Sequence, residues 1–293
     1  MRSMRSMRSG TVNIMNQTLK DEILMREMLD DDGPLGMDSA PDDAAVDAAL
    51  RAVRSKLART LGRARRPLAR IGVIDSPVGR LLVAESVRGL LAVQFLDVPE
   101  APDALAALRE GFDLVEDAGV AARIAGEIER YLDGDMHALD RPVDLSLVRT
   151  DFQRRALMRL RRAVPPGSVI TYQALAVAVG APSGQRAIGN TMATNPVPLY
   201  VPCHRVIRSD GTIGNYGGGV ARKIKLLRAE GFSVARDHRL PAGSVMGHLV
   251  THIFCRPQCH AAMRADRAKS VIFANSGRAR SAGLRACKLC HPA

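Results

Sequence analysis

The sequence predicts a mixed α/β (α+β) chain: a small antiparallel-sheet domain, a mostly helical domain with a helix-turn-helix, and a small C-terminal module built on four cysteines. Three observations carry that reading. Short β-rich runs separated by turn residues fill the stretch from Gly72 to Leu96, apolar spacing changes to a helical period beyond Ala104, and four of the five cysteines follow position 254. A length of 293 residues suits about two ordinary domains.

Taken in order, residues 1–69 combine the acidic patch Asp30-Asp31-Asp32, a Pro/Asp/Ala stretch from Pro34 to Ala45 and a basic run from Ala48 to Arg66. Such composition buries little apolar surface, so the expectation is a disordered or partly helical extension. Ordered sequence is expected from about Arg70. The runs Gly72–Gly79, Leu81–Ala84 and Leu90–Leu96, broken at Ser76-Pro77, Gly79 and Arg88-Gly89, read as a three-stranded antiparallel meander. Ala104–Arg109 and Ala121–Leu132 read as helices, with Gly134 closing the second.

From Asp151 to Arg162, Phe152, Ala156, Leu157 and Leu160 share one helical face and arginines take the other, until Pro165-Pro166-Gly167 stops the helix. Those arginines suit a solvated or phosphate-facing surface. Thr171 can cap a helix over 172–179, Gly180 can end it, and Ser183 can cap a second helix from Gly184 to about Ala193. Two short helices with a Gly-containing turn form a helix-turn-helix pattern, which also occurs in ordinary helical hairpins. Charge favours the binding reading: residues 71–150 carry a net −8, whereas 151–235 carry +9 and 236–293 carry +8. A basic block of this kind suits a polyanion, nucleic acid first. No run of about 18 apolar residues exists to span a membrane, and the opening MRSMRSMRSG lacks the apolar stretch of a secretory signal.

The most informative stretch is Asn195-Pro-Val-Pro-Leu-Tyr-Val-Pro-Cys203-His204-Arg205-Val206. Three prolines in the eight residues before Cys203 exclude a helix and stiffen the approach to the thiol. A cysteine is a nucleophile as its thiolate, and an adjacent imidazole or cation promotes that form. His204 and Arg205 follow directly, and a glycine-rich loop, Gly214-Asn-Tyr-Gly-Gly-Gly219, lies just downstream. The competing reading is a buried structural cysteine beside a surface histidine.

From Ile71 to Phe232 the chain resembles the O6-alkylguanine-DNA alkyltransferase family. The resemblance rests on Pro-Cys-His-Arg-Val at 202–206, Tyr172 in Thr-Tyr-Gln-Ala-Leu-Ala, Arg186 in Gln-Arg-Ala-Ile-Gly, Asn195 in Asn-Pro-Val-Pro, Tyr216 in Gly-Asn-Tyr-Gly-Gly-Gly and Glu230 in Leu-Leu-Arg-Ala-Glu-Gly. It implies DNA repair by one-time transfer of an alkyl group from O6-alkylguanine, and from O4-alkylthymine, to Cys203, with no cofactor for the transfer. His204 would take the thiol proton through a water, Glu230 would orient the ring and Asn195 would order the turn near the thiol. Tyr172, Arg205, Tyr216 and Gly217 would contact substrate or DNA. The alkylated base would be flipped out of double-stranded DNA bound through the minor groove, with Arg186 filling its place and the small Ala187 and Gly189 allowing close approach.

Cys255-Arg-Pro-Gln-Cys259 and Cys287-Lys-Leu-Cys290 pair two ligand couples 28 positions apart, the arrangement of a tetrahedral zinc site. His252, His260 and His291 lie nearby and could compete as ligands. Together with Phe273-Ala-Asn275 and Ala282–Cys290, these pairs resemble the zinc module of the Ada adaptive-response family, which implies zinc on the four cysteines and a methyl-accepting role for Cys255. The module follows the alkyltransferase here, and only about 15 residues separate Leu240 from Cys255, so a truncated module is expected.

The expected organisation is thus an extension (1–69), an α/β domain (70–149), a helical catalytic and DNA-binding domain (150–235) and a four-cysteine zinc module (236–293). Partners are double-stranded DNA and no membrane, with a monomeric chain in the cytoplasm, where reduced thiols persist. Two other readings stay open: an Ada-type alkylation sensor that regulates transcription, and a non-catalytic protein that flags alkylated bases.

Overall fold

The computed structural model describes residues 48, 50–53, 66–99, 101–240, 244–266 and 269–292, and for 101–103 the backbone alone. The extension expected over 1–69 therefore lies almost entirely outside the described residues; residues 48 and 50–53 are helical.

Strands β1 (Leu68–Ser76), β2 (Gly79–Ser86) and β3 (Gly89–Phe95) form the expected antiparallel meander, with β1 paired to β2 from Arg70↔Glu85 to Ser76↔Gly79. Both hairpins turn where glycine is required: Gly79 (φ +109°) and Gly89 (φ +131°) occupy backbone that L side chains avoid. A fourth strand, β4 (Asp113–Glu116), extends the expected three-stranded sheet by pairing parallel to β1, in the order β3-β2-β1-β4. Its four residues, Asp-Leu-Val-Glu, are largely exposed and carry no apolar run, which is why the sequence pattern is silent there. Helix α1 (Ala101–Gly111) makes the crossover, and α2 (Ala118–Leu132) packs on the sheet, capped by Asp117, whose carboxylate accepts from the Gly119 and Val120 amides.

The second domain opens with α3 (Asp151–Ala163), held by a capping box in which Thr150 and Gln153 satisfy each other's amides. Its Ala156, Leu157 and Leu160 are buried and its arginines face outward or pair with neighbours, as the periodicity predicts. Strand β5 (Ser168–Thr171) leads into α4 (Tyr172–Ala178), which Thr171 caps by accepting from the Ala174 amide at 3.0 Å, and Gly180 ends the turn at φ +79°. Helix α5 (Gln185–Ala193) completes the helix-turn-helix. Its N-cap is Gly184 and no side chain caps it, so the expected capping role of Ser183 is not realised. A single 3-10 turn over Cys203–Arg205 runs into β6 (Val206–Ile207), and α6 (Val220–Ala229) follows the glycine loop.

The C-terminal module supplies β7 (Val245–His248), β8 (Ile253–Cys255), the short α7 (His260–Met263), β9 (Ser270–Phe273), α8 (Ser276–Ser281) and β10 (Arg285–Ala286). These strands do not form a separate sheet. They join β5 and β6 in one six-stranded sheet of order β10-β8-β7-β9-β5-β6, so the module shares its sheet with the preceding domain. Val245, Phe254, Val271, Phe273 and Leu284 belong to the same buried cluster as Ile170, Val201 and Leu226. A segment too short to bury both faces of its own strands is completed by packing against an existing core. No helix among the described residues is long and apolar enough to cross a membrane.

Gly89 provides a test of the first sheet. A Cβ there would lie 2.4 Å from the Pro142 carbonyl oxygen, on backbone of positive φ. Gly89→Ala should therefore lower stability by about 2 kcal/mol or more, read as a shift in denaturant midpoint at unchanged slope; a neutral substitution would contradict the geometry.

Candidate active site and metal centre

The stiff segment 195–202 bends around its own backbone to present Cys203. Asn195 Oδ1 accepts from the Val197 amide (3.1 Å), while Asn195 Nδ2 donates to the Val201 carbonyl (2.8 Å) and to Cys203 Sγ (3.1 Å). The prolines exclude regular structure, and Leu199 takes a φ of +71°, a strained conformation for a non-glycine residue. The edge of the first domain helps hold this shape, because the Val93 amide on β3 donates to the Pro196 carbonyl at 2.8 Å.

Cys203 is buried at the floor of a cavity of about 200 Å³ lined by Tyr172, Gly189, Met192, Ala193, Asn215, Tyr216 and Gly217. Burial pushes the thiol up, opposed by the hydrogen bond from Asn195, the charge of Lys223 and the hydroxyl of Tyr216. The Tyr216 hydroxyl itself is buried without a hydrogen bond of normal geometry. The resting group is therefore a thiol whose ionisation needs a base.

His204 is fully buried beside it. Its Nε2 lies 2.9 Å from Glu230 Oε1. Burial works against ionisation of Glu230, yet Arg205 and His204 hold it well below the usual carboxylate range. An ionised carboxylate only accepts hydrogen bonds, so the ring hydrogen belongs on Nε2. Nδ1, which has no hydrogen-bond partner among the described residues, is then the basic nitrogen. Burial pulls the imidazole pKa down against the pull of Glu230, so the ring is neutral at pH 7 and able to accept a proton.

Glu230 gathers further partners. Arg205 Nε donates to both carboxylate oxygens (2.8 and 3.1 Å), Tyr131 Oη donates to Oε1 (2.5 Å) and the Gly167 amide donates to Oε2 (3.1 Å). Here the structure corrects one expectation. Arg205, expected to contact DNA or substrate, is buried, with Nη1 bound to the Val164 carbonyl at 2.8 Å, and its charge is committed to Glu230.

Asn195, Cys203, His204 and Glu230 thus converge, and Tyr172, Gly189, Tyr216 and Gly217 line the cavity above the sulfur. Arg186 and Ala187 do not line it; they are exposed at the start of α5, one turn before Gly189. Sequence reasoning missed two residues. Tyr131 reaches the site from α2 of the first domain and carries no local signal. Lys223 does carry one, because it falls on the same helical face as Leu226, Leu227 and Glu230, an apolar position for a charged residue. It is fully buried, donates to the Val206 carbonyl at 2.7 Å, and burial lowers its pKa to about 8 against the opposing pull of Cys203.

The second site lies in the C-terminal module. The sulfurs of Cys255, Cys259, Cys287 and Cys290 all lie within 4.8 Å of one another, and the amides of Arg256 and Leu289 point at the sulfurs of Cys290 and Cys287 at 3.4 Å. Four converging thiols with amide donors fit a tetrahedral thiophilic cation such as zinc. His252, His260 and His291 are exposed and outside this group. A cavity of about 290 Å³, lined in part by Cys255, His248 and Arg264, opens beside the cluster.

Residues 69–145 match the ribonuclease-like domain of 6-O-methylguanine DNA methyltransferase, 151–232 match its DNA binding domain, and 232–293 match the metal binding domain of Ada. The chain is 36% identical over 188 residues to the Methylated-DNA--protein-cysteine methyltransferase of Rattus norvegicus, covering 60% of this chain and 86% of that protein. With the Homo sapiens protein of the same name it shares 35% over 170 residues, covering 56% and 81%. It is also 35% identical over 163 residues to the Bifunctional transcriptional activator/DNA repair enzyme Ada of Escherichia coli (strain K12), covering 55% of this chain and 45% of that protein. Among solved structures, Mycobacterium tuberculosis OGT in complex with DNA aligns at a TM-score of 0.46 and 32% identity, over 55% of this chain and 91% of that one. The class defined is a cysteine-acceptor alkyltransferase joined to a four-cysteine metal module. The chain belongs to the methylated-DNA--protein-cysteine methyltransferase family.

The site predicts a pH dependence of stability. The folded pKa of Glu230 lies below its ordinary value of 4.5, so its ionised form adds stability that is full above about pH 5 and lost as pH falls. Glu230→Gln should flatten that acid-side loss and, by leaving Arg205 buried without its anion, cost about 3–5 kcal/mol at neutral pH. Denaturant titrations from pH 7 down to about pH 3 read both effects, and an unchanged acid slope in the variant would count against this role.

Proposed function

We propose that Cys203 is the acceptor of a DNA-repair methyltransferase that takes the alkyl group from O6-alkylguanine in double-stranded DNA once per molecule. The observation that carries this is the placement of the buried Cys203 sulfur at the floor of a base-sized cavity, with Asn195 donating to it and the His204–Glu230 pair behind it. His204, through Nδ1, removes the thiol proton by way of a water. The sulfur attacks the alkyl carbon, the C–O6 bond breaks, and its electron pair returns to guanine, which takes up a proton as it leaves. Thiol and O6-alkylguanine become thioether and guanine, and a thioether is not hydrolysed, so the protein is spent.

The O6 carbon is inaccessible inside a duplex, which requires the nucleotide to be flipped at a cost of a few kcal/mol. Arg186 stands exposed at the start of α5 and Gly189, one turn on, borders the cavity, so the arginine can fill the gap as the base enters. No Cβ would meet another atom within 4 Å at Gly189, leaving room for the DNA backbone. This supports minor-groove docking by the helix-turn-helix. Tyr172 and Tyr216 line the cavity and would offer their hydroxyls to the leaving guanine. The chain acts as a monomer, in a reducing compartment such as the cytoplasm that keeps its five free cysteines reduced.

Cys255, Cys259, Cys287 and Cys290 would hold zinc, which keeps coordinated thiols deprotonated and cross-links the two ends of the module. The alignment to Ada spans 45% of that protein, and the Cys203 site supports guanine repair.

Incubation with an oligonucleotide containing O6-methylguanine should add one methyl mass to the peptide containing Cys203, with one lesion repaired per molecule. Cys203→Ser should abolish transfer while retaining binding to the oligonucleotide; multiple turnovers, or transfer by the variant, would refute the assignment. Purified protein should contain about one zinc, and Cys287→Ala should lower that content as measured by elemental analysis.

A further inference from the structure

The strand that supports the catalytic turn also forms the border with the metal module. One edge of β5 pairs parallel to β6, the strand that continues directly from the Cys203–Arg205 turn, through Ile170↔Val206 and Thr171↔Ile207. Its other edge pairs antiparallel to β9 of the C-terminal module, through Ser168↔Phe273 and Val169↔Ile272. Strand β9 pairs in turn with β7, and β7 with β8, where Met246 faces Cys255 of the four-cysteine cluster. Backbone hydrogen bonding is therefore continuous from a cluster cysteine to the strand after Cys203.

Gly167, immediately before β5, makes the connection specific. Its amide donates to Glu230 Oε2 at 3.1 Å, while its carbonyl accepts from the Ala274 amide of the module at 3.0 Å. The residue that holds the orienting carboxylate is thus itself held by the module. The stem of Arg278, on α8, covers the same turn: a Cβ at Gly167 would lie 2.8 Å from its Cδ, and one at Gly231, next to Glu230, 3.3 Å from its Nε. Both glycines have positive φ, so neither position can be filled by a side chain of its own, and Arg278 covers them from outside.

We propose that the C-terminal module is a positioning element of the guanine-repair site, in which Arg278 and β9 hold Gly167 and thereby Glu230, so that the metal state of the four-cysteine cluster governs the competence of Cys203. This rests on Cys203 being the acceptor. Unloading the cluster frees the β8 and β10 ends that the cysteines join, loosens β9, and releases Gly167 on the side away from Glu230. Arg278 is a positioning residue and touches no reacting atom.

The full-length chain, metal-loaded or stripped with a chelator, tests this by hydrogen exchange and single-turnover transfer. Metal removal should raise exchange at 167–171 as well as within 244–292, and slow methyl transfer about fivefold or more. In the loaded chain Arg278→Ala should slow transfer and move the acid limb of its pH profile downward, because a loosened Glu230 no longer supports the proton on His204; Tyr131, Arg205 and Lys223, the other groups acting on that ring, are untouched. Arg278→Lys, which keeps the aliphatic stem, should restore most of both. Exchange at 167–171 and a pH profile that ignore both metal removal and Arg278→Ala would overturn the coupling. Failure of Cys203 to gain methyl, with the exchange response intact, would instead strike the acceptor assignment.

Discussion

Glu230 is an anion enclosed by the protein, and the site depends on keeping it ionised there. A carboxylate out of contact with water is stable only when opposite charge and donors replace its hydration. Arg205 supplies the charge, His204 on the same turn supplies a further donor, and Tyr131 and Gly167 supply donors from two other parts of the fold. Because these donors are fixed to three different elements, with His204 and Arg205 on one turn, the carboxylate fixes those elements relative to one another. It ties α2 of the first domain, the turn before β5 and the Cys203–Arg205 turn to the end of α6. The tautomer of His204, and hence which nitrogen faces away from Glu230 as a base, follows from that arrangement.

The electrostatics of Cys203 are the complement of those around Glu230. Its thiol is raised by burial, and the groups that favour its ionised form are a side-chain amide, a tyrosine hydroxyl and the buried ammonium of Lys223. Lys223 is bound to backbone carbonyls, which solvate its charge without cancelling it. A thiolate formed at Cys203 would be stabilised by this cation, and in the proposed transfer the thioether that replaces it carries no charge.

The same economy of burial explains the C-terminal module. Its strands are two to four residues long, too few to form a stable sheet alone. Joining β5 covers one edge, while Phe273 and Phe254 enter a core that already exists. The four cysteines tie down the opposite end. The position of the module after the alkyltransferase thus has a structural logic, since β5 offers an edge to its short strands.

The sequence by itself determined the meander, the capped helices, the stiff proline approach to Cys203, the Cys-His pair and the two cysteine couples. Each is a local pattern in which a few neighbouring residues set backbone conformation or ligand spacing. It also marked Lys223, a charge on an apolar helical face. Tertiary structure alone decided what joins distant segments: the parallel strand β4, the reach of Tyr131 across 99 positions to Glu230, the burial of Arg205 and the pairing of β5 with β9. An arginine beside a cysteine reads equally well as a phosphate contact or a buried counter-ion, because the carboxylate that settles it lies 25 residues away. Strand edges likewise carry no label in the sequence for the partner they will find, since backbone hydrogen bonds are the same for every residue and only packing selects among them.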